Sequence, residues 1–246
     1  MILLEHISKQ YRLKGQKNFG RFFVVRIIRD LLKGVAKKAE QKTTFWAVND
    51  VSFTIKPGEQ VGLIGKNKAG KTTLLQMISG ITEPTSGRLQ VDGSIIPVFA
   101  QGTVLTPDQT GREYIYLYAA TLGYPRKIVD AVIDDIIAFS EIDAIDSMVK
   151  FFSTGTRTRL SLSIVLHLPA DIYIFDEVFY GSDIFFKEKV ILRFKELLSV
   201  PGKTMVLVSH NEDIIRTFCN RLILLENGRV VTDGSTDEVL AHYKVK

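Results

Sequence analysis

The chain has 246 residues, 46% hydrophobic and 24% charged, with a formal net charge of +5. That length can bury one sizeable core, or one core with a smaller lobe, and no stretch nears the roughly 18 uninterrupted apolar residues of a membrane span. The start, MILLEHISKQ, meets charge at Glu5 without a basic n-region, which argues against a signal peptide. The lone Cys219 excludes an internal disulfide and points to a reducing cytoplasm.

In chain order, a strand-like run at 2–6 comes first, then Tyr11 in SKQYR, then a basic stretch. From Lys14 to Lys42 nine Lys and Arg residues stand against Asp30 and Glu40. Phe23, Ile27, Ile28, Leu31, Leu32 and Val35 recur there at helical spacing, with Arg26, Arg29, Asp30, Lys33 and Lys37 largely on the other side. Such a helix suits an anionic membrane surface, or packing on its own domain with a solvated basic face. Strand-like segments flank the stretch (ILLEHI before it, FWAVNDVSFTI after it), so about 14–42 reads as an insertion.

The second strand covers 46–55 and the third 60–64. The third runs into GLIGKNKAGKTTLL, where Gly65, Lys66, Asn67, Lys68, Ala69, Gly70, Lys71 and Thr72 have the spacing G-x-x-x-x-G-K-T. A helix is expected at 71–79, directly after it. Strand, glycine loop and helix together are the context this pattern requires. Glycines let backbone N–H groups approach phosphate oxygens, and the helix N-terminus adds a favourable dipole. Lys71 supplies a charge for the outer phosphates and the Thr72 hydroxyl a ligand for Mg²⁺. A glycine turn that binds nothing is the plainer alternative, and the context disfavours it. Lys68 is unusual: its side chain crowds the loop if the residue needs φ > 0, while its charge favours a polyphosphate.

Strands at 88–92 and 95–100 follow, then a helix-only stretch, about 104–168, expected to form a separate lobe with helices at 111–122, 126–140 and 155–167. Thr110-Gly111-Arg112-Glu113 is a capping box for the first of these. Ser153, before the last, can cap it or turn its hydroxyl and the helix N-terminus toward an anion. The mostly apolar strand 171–175 leads into Asp176-Glu177, where ligands gather at the carboxyl ends of buried parallel strands. Asp176 suits a metal role and Glu177 the alignment of an attacking water. A helix at 187–199 and a strand at 204–208 precede Ser209-His210, again at a strand end. A helix at 211–218, strands at 221–226 and 229–232 joined by the tight turn Asn227-Gly228, and a helix at 236–243 behind Ser235-Thr236-Asp237-Glu238 complete the chain. Cys219 falls among Ile214, Ile215 and Phe218 and is expected in the core. No internal repeat is visible. Antiparallel strands at the start and alternating strands and helices later make an α/β fold with a largely parallel sheet.

Phosphate loop, Ser-x-Gly segment, strand-Asp-Glu and strand-Ser-His, in that order over nearly the whole chain, resemble the ATPase subunit of an ABC transporter. The resemblance implies a P-loop NTPase fold, with a mostly parallel core sheet, an antiparallel β subdomain and a helical subdomain. It implies Mg²⁺ and ATP as cofactors, with Thr73 beside Thr72 in the nucleotide loop and Lys71, Glu177 and His210 in the catalytic group. Tyr11 would stack on adenine. Gln101 would lie near Mg²⁺, with Thr72 and Asp176, and near a transmembrane partner. Ser153 and Gly155 would reach the γ-phosphate of ATP held by the opposite subunit, and Ser182 and Asp183 would lie in the D-loop, with Asp183 among the nucleotide-binding residues. A head-to-tail homodimer with two ATPs follows.

FWAVNDVSF after a basic insertion, LTPDQTGREYIYL, FFSTGTRTRLSLSI and FDEVFYGSDIFFKEK are similar, more narrowly, to the bacterial exporters of lipid-linked polysaccharides: O-antigen, capsule and teichoic acid. That likeness implies a permease partner, a place on the cytoplasmic face of the membrane and an insertion near the channel entrance. No C-terminal carbohydrate-binding domain is expected. Lys68 and Thr154 depart from the family pattern, but Lys71, Thr72, Asp176, Glu177 and His210 are all present, so an active ATPase is expected. The alternatives are an ABC ATPase for another transported substrate, and a soluble ABC ATPase acting on nucleic acid, though no nucleic acid is expected.

Overall fold

A computed structural model describes residues 1–13, 43–99, 108–178 and 184–244. The basic insertion, Gln101, Ser182 and Asp183 lie outside the described residues. The strands are β1 (Ile2–Leu13), β2 (Thr43–Ile55), β3 (Gln60–Ile64), β4 (Ser86–Val91), β5 (Ile95–Phe99), β6 (Ile172–Asp176), β7 (Thr204–Val208), β8 (Arg221–Glu226) and β9 (Arg229–Ser235). The helices are α1 (Lys71–Ile78), α2 (Gly111–Thr121), α3 (Arg126–Asp130), α4 (Ile133–Ser140), α5 (Thr154–His167), α6 (Ile184–Ser199), α7 (Glu212–Phe218) and α8 (Thr236–Lys244), with a 3₁₀ turn at Val149–Phe151.

Among the described residues, six strands form one sheet in the order β5-β6-β7-β3-β8-β9, and three form a second in the order β2-β1-β4. Every pairing from β5 to β8 is parallel, β9 is antiparallel to β8, and the small sheet is antiparallel throughout. Because side chains alternate across a strand, the large sheet feeds two cores. Ile64, Val98, Tyr173, Phe175, Leu207 and Leu224 join the helical side. Val61, Leu63, Ile174, Val206, Val208 and Leu225 join the side shared with the small sheet and α1. Strands buried on both faces need continuous apolar sequence, and TMVLV of β7 is such a run. Each such side chain, fully buried, is worth about 1.5–3 kcal/mol.

Gly62 shows how tightly β3 is enclosed. A Cβ there would lie 2.4 Å from Leu222 Cδ2 and 3.2 Å from Cys219 Sγ. Cys219 is thus a core residue, 5% exposed, and burial pushes its thiol up to about 12.

Three expectations change. The first strand continues to Leu13 instead of stopping near 6, and register shifts interrupt its pairing with β2. The helix expected over 126–140 is two helices. Val132 leaves the helical region at φ −128° and ψ 0°, and its N–H closes a turn on the Val129 carbonyl. Tyr116 of α2 holds Asp130 of α3 at 2.8 Å, whereas Ile133 and Ile136 of α4 are buried. The third concerns the capping boxes. The one at Thr110 is complete, but at Ser235 the hydroxyl donates to Glu238 at 2.7 Å while Glu238 also accepts from the Ser235 N–H at 3.1 Å.

Candidate nucleotide site

The phosphate loop occupies the turn from β3 to α1, at the centre of the large sheet. Gly65 has φ 147° and Gly70 φ 106°, and close approach makes both positions sterically demanding. A Cβ on Gly65 would meet the Leu225 carbonyl oxygen at 2.2 Å, and one on Gly70 the Ala47 carbonyl oxygen at 2.4 Å. Between them Lys66, Asn67 and Lys68 are exposed, Ala69 is buried, and Lys68 takes φ 69°. Lys68 therefore does sit in the left-handed region, at an exposed place. Lys71 is buried, 7% exposed, and its Nζ donates to the carbonyls of Gly65 at 2.7 Å and Lys66 at 3.2 Å. The ammonium lies across the loop, donating to these two carbonyls, whose place polyphosphate oxygens could take. Burial lowers its pKa from the ordinary lysine value, against the opposing pull of Glu177 and Asp176.

Register brings the chemical groups level. Leu63 of β3 and Asp176 of β6 both pair with Val208 of β7, so loop, carboxylates and His210 emerge from three adjacent strand ends. Asp176 is 7% exposed. Burial raises its pKa, as does Glu177, whereas a hydrogen bond from Thr72 and the charges of Lys71 and His210 lower it. Thr72 hydroxyl and Asp176 carboxylate form a hard-oxygen pair beside the loop. Mg²⁺ is commonly held by such a pair, with phosphate oxygens and water completing its shell. The residues therefore fit that ion. Glu177 follows in left-handed backbone, φ 57°, with its N–H on the Val208 carbonyl at 3.0 Å. Its Oε1 lies 2.8 Å from His210 Nε2, and both side chains are 38% exposed. His210 itself stands between β7 and α7, where Ser209 Oγ accepts the Asn211 N–H at 3.1 Å and Asn211 caps α7 through the Ile214 N–H.

The structure gathers Gly65, Lys71, Thr72, Asp176, Glu177 and His210, and places Thr73, half-buried, in the first turn of α1. Tyr11 lies on β1, stacked on Phe45. Ser153 and Gly155 begin a different element, α5. The Ser153 hydroxyl accepts the Thr156 N–H at 3.0 Å and meets Thr156 Oγ1 at 2.8 Å. One supporting residue escaped the sequence reading. Gly228 was legible as a hairpin turn, but its N–H also donates to the Ala69 carbonyl at 3.0 Å, and its carbonyl accepts the Asn49 N–H at 2.8 Å. It links the phosphate loop to β2, and nothing local in the sequence signals that contact.

A central strand ending in a glycine-lysine loop, flanked by a strand ending in paired carboxylates and one ending in histidine, defines a P-loop nucleotide-binding protein. The chain belongs to the ABC transporter family, whose model matches residues 48–180. It is 36% identical over 248 residues to the O-antigen export system ATP-binding protein RfbB of Klebsiella pneumoniae, covering 99% of this chain and 97% of that protein. It is also 39% identical over 220 residues to the teichoic acids export ATP-binding protein TagH of Enterococcus faecalis, covering 87% of this chain and 48% of that one. Among solved structures, the dimeric cassette MJ0796 bound to ADP and Pi in a post-hydrolysis state matches with a TM-score of 0.74 at 21% identity, over 96% of this chain and 99% of that one. That likeness establishes the fold.

Proposed function

We propose that this chain is the ATP-hydrolysing subunit of an exporter of lipid-linked polysaccharide, of O-antigen, capsule or teichoic acid type, working with a transmembrane permease. The observation that carries the reading is the meeting of Glu177 and His210 at 2.8 Å, beside a phosphate loop, in a chain whose relatives are O-antigen and teichoic acid exporters over most of its length. Among the described residues no helix is long and apolar enough to cross a membrane, so the transport path is assigned to the permease. A place on the cytoplasmic face of the membrane is part of the same proposal.

The residue roles proposed here are those the family resemblance implies, and the grouping of Lys71, Thr72, Asp176, Glu177 and His210 supports the central ones. Gly65, Lys66, Asn67, Lys68, Ala69 and Gly70 cradle the β- and γ-phosphates, with Lys71 neutralising charge and Thr73 at the helix start. Thr72 and Asp176 hold Mg²⁺, which supplies charge neutralisation at the phosphates when bound. Glu177 accepts a proton from the attacking water, and His210 fixes that carboxylate and reaches the γ-phosphate. Tyr11 stacks on adenine. Ser153 and Gly155 serve the ATP of a second copy, while Gln101 completes the metal site and Asp183 the nucleotide-binding residues. The whole chain, 1–246, then acts as one ABC ATPase domain with a helical lobe of about 104–168 and a membrane-proximal insertion of about 14–42.

Glu177→Gln tests the chemistry. Loss of a general base is expected to lower Mg²⁺-dependent hydrolysis by about 10²–10⁴-fold, with ATP binding intact. Equal turnover in both proteins would remove Glu177 from the mechanism. The substrate assignment is tested with the chain joined to its permease in lipid vesicles. Stimulation of hydrolysis by a lipid-linked glycan supports it, and indifference to such glycans with stimulation by another solute overturns it.

A further inference from the structure

Tyr11 and Phe45 are direct cross-strand partners of β1 and β2. Their ring centroids are 5.7 Å apart with an interplanar angle of 28°. Phe45 is 45% exposed and belongs to neither buried core, although it is a large aromatic near the start of β2. Cross-strand aromatic pairs fix each other's rotamers because each ring removes half the space available to the other. On the same side Lys9 sets its ammonium 5.3 Å from the Tyr11 ring centroid and is itself anchored at 2.6 Å to the Glu83 carbonyl.

The strand carrying Phe45 is also built against the phosphate loop. Two residues beyond Phe45, about 7 Å along the strand, the Ala47 carbonyl fills the space that a side chain on Gly70 would need. Gly228 then bridges Asn49 of β2 to Ala69 of the loop. A ring held by Phe45 is therefore tied, through β2, to the backbone that packs on the phosphate loop.

We propose that Phe45 is a positioning residue for purine nucleotides: it backs the Tyr11 ring, so that one face of Tyr11 is presented, already ordered, to the base. This rests on the assignment of Tyr11 as the base platform. Phe45 acts through Tyr11, the ring it stacks on. It thereby lessens the ordering cost of binding without adding a contact of its own.

The test compares ATP, as its non-hydrolysable analogue, with inorganic tripolyphosphate, which has the phosphates and no base. Phe45→Ala in the full chain is expected to weaken analogue binding about three- to ten-fold, the worth of one aromatic pair, and to leave tripolyphosphate binding unchanged. In steady-state hydrolysis the effect falls on KM rather than kcat. Phe45→Tyr restores binding, and Phe45→Ala adds nothing in a Tyr11→Ala background. If Tyr11→Ala weakens the analogue while Phe45→Ala does not, the positioning role is overturned and the Tyr11 assignment stands. If Tyr11→Ala has no effect, that assignment fails and the proposal with it. Equal loss for both ligands would mean that the loop itself had moved, and would also overturn the proposal. Should Phe45→Ala not fold, Phe45→Leu keeps the apolar bulk without the ring face and carries the same comparison.

Discussion

Lys68 separates two demands that a phosphate loop places on its residues. Gly65 and Gly70 cannot accept a Cβ because backbone carbonyls occupy its place; Lys68 faces only the conformational cost of φ 69°, about 1–2 kcal/mol for an L-residue. Lys68→Gly removes that strain but gives the unfolded chain more freedom, which returns about 0.4–1 kcal/mol. The net expectation is a gain between zero and about 1.6 kcal/mol by thermal or chemical denaturation, together with weaker ATP binding. The affinity difference should shrink at high salt, because the lost cation is exposed and screened. Asp176 is likewise a residue kept for chemistry at a cost to stability, here an electrostatic one. Burial holds its pKa above the ordinary aspartate value, so the folded chain binds more protons there than the unfolded chain does. Stability is then lost as pH rises from the usual aspartate range, about 3.9, through the raised value, and the penalty is fully present above it. Asp176→Asn is expected to raise the melting temperature of the nucleotide-free chain at pH 7, to lose that advantage below the ordinary aspartate range, and to abolish Mg²⁺-dependent hydrolysis. Melting curves of the two proteins across pH isolate this one group from the other carboxylates.

At the scale of elements, the sequence is most legible where one physical rule acts alone. The strands of the large sheet were readable because burial on both faces demands short apolar runs, and the phosphate loop because its spacing is dictated by the ligand. The sequence pattern of β1 stops short of its true length because its alternation is broken: His6 and Asp50 take φ 54° and 58°, with their N–H groups satisfied by Ser52 Oγ at 2.8 Å and Ser8 Oγ at 2.9 Å. Those bonds join positions far apart in the chain, so no local pattern announces the bulges. The break between α3 and α4 is tertiary in the same way, since each helix answers to a different neighbour. Ser153 was legible with two meanings, cap and anion contact, and the structure displays the first. Aspartate caps helices about as well as serine and its charge suits a helix N-terminus. Ser153→Asp is therefore expected to leave the stability of the chain within about 0.5 kcal/mol of its original value, as read by urea denaturation.

The same substitution decides a question about the whole molecule. Phosphate loop, carboxylates and histidine stand together at three strand ends, while Ser153 heads a helix that packs among α2, α4 and α6 and bonds within its own first turn. If the site is completed by the Ser153 turn of a second copy, nucleotide becomes the bridge between two chains, and a carboxylate at 153 would face the γ-phosphate charge at close range. Like charges at such a contact cost several kcal/mol, far more than any change in the helix cap. In the Glu177→Gln background, where triphosphate persists, sedimentation velocity should report a dimer with ATP and a monomer without it. Adding Ser153→Asp should leave the monomer with ATP still bound. A dimer that forms equally well with aspartate at 153 would mean that this turn never meets the partner's nucleotide, and the two-chain arrangement would have to be rebuilt on another face.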